Sequence, residues 1–325
     1  MTFTKMLQST LCLAISAATL AGCGVNRVQA PVASGKAALH VASKAAKAAF
    51  PFRMGWENPT ATPIAYDLHP TNKTSVGFHI KDVAPAKKVD LRPLMSPVAD
   101  QGNFGSCTSF AMVKGIAEFM ELKKIRARGG DVAKDFVPLA PTYLWYGERA
   151  FMGNEKIDTG ATMFLGMNLL VTDGACPETD MPYCPEQYQQ NELFRNFWLQ
   201  NPPSRDAASH AKNFRGGQLR QITKLSEVKA SLDEGYPTVF GFVVFSNIRE
   251  ASKTGMLPVP SLQEDEVLGG HATVCVGYDD EKGCLILKNS WSENWGDKGY
   301  FYMPYDFFNN QFGLVADGWT IRETN

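Results

Sequence analysis

The chain has 325 residues, a length that allows one large domain or two modest ones. Hydrophobic residues make up 44% of it, which is enough for a substantial core. Because the formal net charge is only −1, the chain lacks the excess of basic residues typical of nucleic-acid-binding proteins, and we expect no nucleic-acid partner.

The N-terminus has the pattern of a processing signal. Lys5 precedes a mostly apolar stretch from Met6 to Leu20, and Leu20-Ala21-Gly22-Cys23 is similar to a bacterial lipobox. We therefore predict a signal peptide over residues 1–22 and a lipid anchor on Cys23. Polar residues within the apolar stretch disfavour an ordinary membrane span. An ordinary secretory signal cut nearby and an uncleaved anchor are the alternatives.

The residue after the anchor cysteine bears on localisation. It is Gly24 and not aspartate, which by resemblance to lipoprotein sorting favours the outer over the inner membrane. We expect a lipid-anchored protein of the bacterial cell envelope, either retained at the membrane or released after processing.

Residues 23–88 contain little that is typical of a core. Lys36 to Phe50 is an Ala/Lys-rich helix candidate, and a run broken by prolines follows it. One interpretation is a tether that holds the domain away from the membrane. The other is a pro-segment that lies across a cleft and is removed near Lys87-Lys88.

The stretch from Asp100 to Phe110 carries the strongest chemical signal. Its glycine-rich turn places Cys107 in the first turn of a predicted long amphipathic helix that ends near Gly129-Gly130. A thiol at a helix N-terminus lies at the positive end of the macrodipole, which favours the nucleophilic thiolate. Gln101 is close enough in sequence for its amide to point at the same position as the backbone N–H of Cys107.

The rest of the chain changes from helical to β-type periodicity. Two further helices are predicted in the first half and four strands in the second, with an irregular surface crossing between them. Helices followed by strands predict an α+β fold of two lobes, and a cleft between lobes is a common ligand site. The predicted helices are Pro141–Met152 and Thr162–Val171, the crossing is Asn201–Gly217, and the strands are Thr238–Phe245, His271–Tyr278, Cys284–Asn289 and Tyr300–Met303.

A thiolate nucleophile needs a base, and His271 is the only histidine in a predicted strand. Its strand is predicted to form a hairpin with the next one through the turn Asp279–Gly283. Pairing Tyr278 with Lys282 places His271 opposite Asn289, and pairing Tyr278 with Cys284 places them on a diagonal within side-chain reach. Both registers keep the two residues on one face.

Four cysteines remain after the predicted signal, anchor and nucleophile are set aside. In both of these registers Cys275 and Cys284 lie on opposite faces of the hairpin, so we expect no bridge between them. Cys176 and Cys184 are then the more favourable disulfide candidate, since an exported chain permits oxidation.

Several of these motifs, in this order, resemble the papain family of cysteine peptidases. The resemblance spans about residues 89–321, with an insertion around Ser252–Val267. It rests on Gln101, Gly105-Ser106-Cys107, His271-Ala272, Asn289-Ser290-Trp291, Trp295-Gly296, Gly299-Tyr300, Thr159-Gly160-Ala161 and Pro182-Tyr183.

The resemblance implies a papain-like domain over 89–325. Its helical lobe would span about 100–200 and its antiparallel β-barrel-like lobe about 218–321, with the active-site cleft between them. It also implies a monomeric peptidase that acts on peptide or protein substrates without a cofactor or metal.

The resemblance implies a role for each matching residue. Cys107 would attack the scissile carbonyl, His271 would pair with it and protonate the leaving amine, and Asn289 would orient the imidazole. The Gln101 amide and the Cys107 N–H would form the oxyanion hole. The substrate-binding residues would be Gly160 and Ala161 along the peptide, Gly241, Gly269, Gly270 and Ala272 around a roomy apolar pocket, and Trp291 shielding the Asn–His pair.

Some positions depart from the family pattern. Phe104 replaces a frequent cysteine, Thr108 replaces an aromatic residue, and Thr159 replaces the first of two glycines. Two other functions keep the same fold: a thiol-dependent transpeptidase or cell-wall amidase, and a non-catalytic binding lipoprotein. The intact Gln101 and Cys107 argue against the second.

Overall fold

The computed structural model describes residues 52–58, 80, 85–184, 186–309 and 313–323. The predicted signal peptide, Cys23 and most of the tether or pro-segment lie outside the described residues. Within the described part of the chain, no helix has the length and apolar character needed to cross a membrane.

Helices dominate the first half of the domain. The predicted long helix runs from Cys107 to Ala127 and contains a π-helical stretch over Ala111–Ala117, next to the first turn. The helices are α1 Cys107–Phe110, α2 Glu118–Ala127, α3 Val132–Asp135, α4 Pro141–Phe151, α5 Met163–Thr172, α6 Glu186–Gln189, α7 Glu192–Leu199 and α8 Arg205–Ala211.

The helix α8 was not predicted, because the prolines around it suggested an irregular crossing. Ser204 directly follows Pro203, and its hydroxyl accepts a hydrogen bond from the N–H of Ala207 at 3.0 Å. Such an N-cap supplies one of the partners that the first helical N–H groups lack. The capping serine was therefore a usable signal for a helix start.

The rest of the described chain forms one antiparallel sheet with three helices beside it, and the first strand of this sheet precedes the helices of the first half. Its strands are β1 Lys88–Asp90, β2 Gln218–Ile222, β3 Thr238–Phe245, β4 Val267–Asp279, β5 Cys284–Lys288, β6 Tyr300–Pro304 and β7 Val315–Arg322, and its helices are α9 Leu225–Asp233, α10 Ile248–Thr254 and α11 Tyr305–Phe308. The α+β fold of two lobes is confirmed.

The β lobe corrects one detail of the expected architecture. The strand order is β2-β7-β3-β4-β5-β6, with β1 paired to β4, and among the described residues the end strands β2 and β6 do not pair. The sheet is therefore open and not a closed barrel. The neighbouring strands β2 and β7, at one end of this order, were not predicted from the sequence.

The β4–β5 hairpin contains a bulge that decides which residues share a face. Near the turn Tyr278 pairs with Leu285, whereas beyond Val276 the register shifts and Val274 pairs with Lys288. A single extra residue reverses the alternation of side chains between faces. Extending the Val274–Lys288 register brings His271 and Asn289 to the same face, as predicted.

The buried core joins the two lobes. The helix that begins at Cys107 packs against β4 so closely that a Cβ on Gly115 would clash with the side chain of Val274. This close packing fixes the first turn of the helix relative to the strand that carries His271.

The expected disulfide is absent from the structure. Neither Cys176 nor Cys184 is in a disulfide, and the two buried thiols belong to separate apolar clusters. Cys176 packs with Ala140 and Met181, whereas Cys184 packs with Phe104 and Trp145. Each thiol is satisfied as a small apolar group in its own cluster.

Candidate active site

Cys107 is the first residue of the helix α1 and is fully buried. Its Sγ accepts hydrogen bonds from the backbone N–H groups of Gly55, at 3.3 Å, and Ala272, at 3.4 Å. Burial is the largest influence on the thiol and raises its pKa to about 12. The helix N-terminus alone would favour the thiolate, but with the sulfur covered the neutral thiol is the stable form.

His271 and Asn289 meet as predicted. The Nε2 of His271 lies 2.8 Å from the Oδ1 of Asn289, and the ring stacks on Trp291 with centroids 4.3 Å apart. Because an amide oxygen can only accept, Nε2 carries the proton and Nδ1 remains free to act as a base. Burial lowers the pKa of His271 to about 4, although the hydrogen bond to Asn289 opposes this effect.

Gln101 is buried and held by both lobes. Its Oε1 accepts from the hydroxyl of Ser290 at 2.6 Å, and its Nε2 donates to the carbonyl of Phe104 at 2.8 Å. The same Nε2 donates to the carbonyl of Arg53 at 3.0 Å. A donor suited to an oxyanion is therefore already occupied by a peptide carbonyl of the chain itself.

Residues 52–58 lie in the groove between the lobes. The N–H of Ala161 donates to the carbonyl of Gly55 at 2.8 Å, and the N–H of Glu57 donates to the carbonyl of Ala161 at 2.9 Å. On the opposite wall of the groove, the backbone N–H of Trp56 donates to the carbonyl of Gly270 at 3.1 Å. The segment thus lies extended in the groove, and the bridge of Trp56 with Ala161 is parallel.

The glycines predicted to bind substrate are those that touch this segment. A Cβ on Gly160 would clash with the carbonyl of Gly55, and one on Gly241 would clash with the ring of Trp56. A Cβ on Gly270 would press on the same tryptophan. These positions lack side chains where a peptide backbone or a large ring approaches closely.

Comparison with known proteins gives the arrangement its context. Residues 85–316 match the model of the papain family cysteine proteases. The chain is 30% identical, over 75% of its length and 75% of the other, to the uncharacterized peptidase C1-like protein L477 of Acanthamoeba polyphaga mimivirus. It is 25% identical to cysteine proteinase 1 of Entamoeba histolytica, over 73% of this chain and 68% of that protein.

A solved structure agrees with these sequence matches. Xylellain, a cysteine protease from Xylella fastidiosa, superposes with a TM-score of 0.67 at 27% identity, covering 85% of this chain and 96% of its own. The chain belongs to the papain family of cysteine proteases. It is accordingly a cysteine-type peptidase, a hydrolase of peptide bonds.

One departure from the family pattern is explained by packing. Phe104 is fully buried and contacts Trp198, with ring centroids 4.8 Å apart, and the edge of Trp145 at 5.6 Å. The N–H of the next residue, Gly105, donates to the Asp158 carboxylate at 2.8 Å. Aromatic packing and this hydrogen bond hold the turn that other papain-family members often hold with a cysteine.

Sequence reasoning missed two buried carboxyl groups in this papain-family domain. Glu148 on α4 accepts from the hydroxyl of Thr108, next to the candidate nucleophile, at 2.8 Å, and burial raises its pKa to about 8. Asp317 on β7 lies beside the groove. Neither belongs to a motif, because each is brought to the site by tertiary packing alone.

No group of three or more potential metal ligands occurs among the described side chains.

Proposed function

We propose that the chain is a self-blocked cysteine peptidase in which Cys107, His271, Asn289 and Gln101 carry the hydrolysis of peptide bonds. The observation that carries this proposal is the path of residues 52–58, which contact the thiol, the Gln101 amide and both walls of the groove. A groove that binds this extended peptide through its backbone is suited to extended peptide substrates.

The chemistry follows from the positions of the four side chains. The Nδ1 of His271 takes the proton of the Cys107 thiol, and the thiolate sulfur attacks the carbonyl carbon. The resulting oxyanion accepts from the Nε2 of Gln101 and the backbone N–H of Cys107. The imidazolium of His271 gives its Nδ1 proton to the departing amine. Water then attacks the thioester with His271 as base and releases the acid, while Asn289 keeps the ring in one tautomer.

Residues 52–58 block this sequence of steps at each point. The carbonyl of Arg53 occupies the Gln101 donor, and the N–H of Gly55, not a carbonyl carbon, faces the sulfur. The segment also buries Cys107 and His271, which favours the neutral pair over the thiolate–imidazolium pair. Activity therefore requires the segment to leave.

The removal point predicted near Lys87-Lys88 stays untested, but the backbone there argues for a cut further upstream. The carbonyl of Lys87 accepts from the N–H of Asp280 at 2.9 Å, and Lys88 pairs with Asp279 in the sheet. A protease needs an extended, unpaired substrate. We place the cut between residues 58 and 85.

The test uses the full chain with a site-specific protease sequence inserted within 59–79. We expect peptide hydrolysis to be low before the cut and to rise by at least about tenfold after it. Cys107→Ala should abolish activity in the cut protein, and Cys275→Ala, which removes a buried thiol outside the site, should not. Equal activity before and after the cut would refute the self-block, and activity in Cys107→Ala would refute the nucleophile.

We also propose that Cys23 is acylated and tethers the uncut, self-blocked chain to the bacterial cell envelope, at the outer membrane, and that the cut releases the peptidase domain. The lipobox-like sequence ending at Cys23 supports this. Mass analysis of the N-terminus of the uncut protein purified from membranes would test it. An uncut mature chain that begins elsewhere and carries no lipid would contradict the tether and leave the peptidase proposal standing.

A further inference from the structure

The residue after the candidate nucleophile makes two contacts in different directions. Burial raises the pKa of the Cys107 thiol, and the backbone N–H of Thr108, which faces the sulfur, opposes this effect. The hydroxyl of Thr108 donates to the Oε2 of Glu148 on α4 at 2.8 Å, and both side chains are fully buried. Thr108 therefore joins the surroundings of the sulfur to a carboxyl group that the proposed hydrolysis does not use.

The carboxyl of Glu148 lies in apolar surroundings. Its Oε1 is buried and has no hydrogen-bond partner in the part of the chain that the structure describes. A Cβ on Gly166 of α5 would lie 2.3 Å from this oxygen and 2.3 Å from the sulfur of Met112, so the oxygen is closely enclosed. Burial raises the pKa of Glu148 to about 8. The neutral acid is therefore the stable form at neutral pH, because a carboxylate would be costly there.

Arg149 follows Glu148 on α4, but its guanidinium is directed elsewhere. Its Nη1 donates to the carbonyls of Glu155, at 2.7 Å, and Leu199, at 3.0 Å, and its Nε donates to the carbonyl of Trp145 at 3.3 Å. Of the side chains that the structure describes, none forms a salt bridge with Glu148. Burial therefore raises the pKa of Glu148 by more than the positive charge of Arg149 lowers it.

Cys107 is the titratable group that faces Glu148 from α1. A negative charge on Glu148 raises the pKa of the thiol further, in the same direction as burial. Met112 and Gly166, which enclose the carboxyl from the other helices, bear no titratable group. Neighbouring groups of like charge oppose each other's ionisation. A neutral Glu148 thus leaves the negative charge to the sulfur.

We propose that Glu148 is a positioning residue of the peptidase, which acts through Thr108 to keep the first turn of α1 directed at the Cys107 sulfur and, as a neutral acid, leaves the sulfur free to become a thiolate. The inference rests on the proposed function and deepens it. A glutamine has a similar shape, accepts the same hydrogen bond and stays neutral, so it should serve at this position. The thiolate should in turn delay the ionisation of Glu148, since coupling between two sites is reciprocal.

The first test follows the alkylation of Cys107 by iodoacetamide as a function of pH, in the chain cut within 59–79 as above. The midpoint of the acid limb of the rate marks where the thiolate forms. Thr108→Val removes the hydroxyl and keeps the shape of the side chain, whereas Thr108→Ser keeps the hydroxyl. We expect the valine variant to raise the midpoint by about half a pH unit or more, because the turn no longer supports the thiolate, and the serine variant to keep it in place. Thr142→Val, which removes another buried hydroxyl on α4, is the matched control and should not move the midpoint.

Glu148→Gln tests the charge of the carboxyl in the same measurement. We expect the midpoint to stay within about half a pH unit of that of the natural chain, because a neutral amide replaces a neutral acid. If Glu148 were a carboxylate, removing its charge would lower the midpoint by about one unit or more. That result would overturn the inference.

The second test observes Glu148 directly by infrared spectroscopy, as the band of a protonated carboxyl that disappears in Glu148→Gln. The cut chain is titrated with Cys107 free and again after alkylation has converted the sulfur to a neutral thioether. We expect the band of the free enzyme to persist to a pH about one unit higher, because the thiolate opposes a charge on Glu148. Ionisation of Glu148 at the same pH in both proteins would overturn its coupling to Cys107.

Neither test requires catalysis, so failure of this inference is distinct from failure of the proposed function. Equal midpoints for the valine and serine variants of Thr108 would overturn the positioning role. If Glu148→Gln does not fold, the Thr108 variants decide the inference. If the cut chain hydrolyses no peptide substrate, the proposed function fails, and the alkylation and infrared measurements still decide the role of Glu148.

Discussion

The backbone N–H of Gly55 donates to the Sγ of Cys107 at 3.3 Å, which places the chain's own upstream segment directly on the candidate nucleophile. The sulfur thus meets a hydrogen-bond donor where catalysis would require an electrophilic carbon. The segment lies in the groove without offering a bond to cleave, and that relationship determines how the intact protein should behave.

Trp56→Ala is expected to loosen the segment. The indole is buried in the groove where Cβ atoms on Gly241 or Gly270 would meet it. Truncating a buried tryptophan in a protein core typically costs about 3–5 kcal/mol. Even a part of that energy should raise the alkylation rate of Cys107 in the intact chain at pH 7 by at least about tenfold. Phe197→Ala, which truncates an aromatic ring that is 73% exposed, serves as the control and should leave the rate unchanged. Equal rates in the two variants would contradict a block by Trp56.

The intact and cut proteins should differ in the pH profile of Cys107. With the segment in place burial raises the pKa of the thiol to about 12, so the thiolate fraction grows about tenfold per pH unit across the neutral range. After the cut the thiol and His271 become hydrated, and the ion pair becomes accessible. We expect the alkylation rate of the cut protein to reach a plateau near neutral pH, whereas that of the intact chain keeps rising. Superimposable profiles would contradict the link between burial and reactivity.

The sequence was sufficient to name the candidate catalytic residues but not to predict the register that brings two of them, His271 and Asn289, together. Neither predicted pairing of Tyr278 is correct, since Tyr278 pairs with Leu285. That pairing, continued without interruption, would place His271 and Asn289 on opposite faces of the hairpin. The bulge at Val276 brings His271 and Asn289 back to one face. The carbonyl of Val276 accepts from the N–H of Leu91 at 2.8 Å. A contact with a residue distant in sequence therefore accompanies the irregularity, and no local pattern predicts it.

Asp317 shows the same limitation. The strand that carries it was not predicted, because its alternation is interrupted by the bulge and by the left-handed residue itself. The helix start at Cys107, by contrast, depended on local turn chemistry and was predicted correctly. Elements defined by local periodicity could be predicted, whereas bulges that depend on neighbouring strands could not.

Glu148→Gln is expected to remove a pH-dependent loss of stability. Burial raises the pKa of this carboxyl from 4.5 to about 8 in the folded protein. Between these values the unfolded chain releases the proton and the folded chain retains it, so the free energy of unfolding falls as pH rises from about 4.5 to about 8. One pKa unit corresponds to about 1.4 kcal/mol, so a few kcal/mol are at stake. Denaturant unfolding at pH 5 and pH 8 should show the variant gaining relative stability at pH 8.

The exposed Glu293 provides the control for this experiment. Glu293→Gln should change the free energy of unfolding by less than about 0.5 kcal/mol at both pH values, as is usual for surface positions. If Glu148→Gln also kept the same difference from the natural chain at pH 5 and pH 8, the carboxyl would be ionised throughout. The hydrogen bond from Thr108 would then lower the pKa of Glu148 by more than burial raises it.

Gln101→Ala is expected to lower kcat of the cut enzyme by about 10²–10³, the usual effect of removing one oxyanion-hole donor. The side chain also accepts from Ser290 at 2.6 Å, so the variant leaves that hydroxyl to find another partner. Alkylation of Cys107 should continue at a rate within about threefold, because the donor acts on the oxyanion and not on the thiol. Comparison with Ser290→Ala separates the two roles of Gln101: the loss in kcat should be much smaller when only its anchor is removed. A kcat unchanged by Gln101→Ala would show that the amide does not stabilise the transition state.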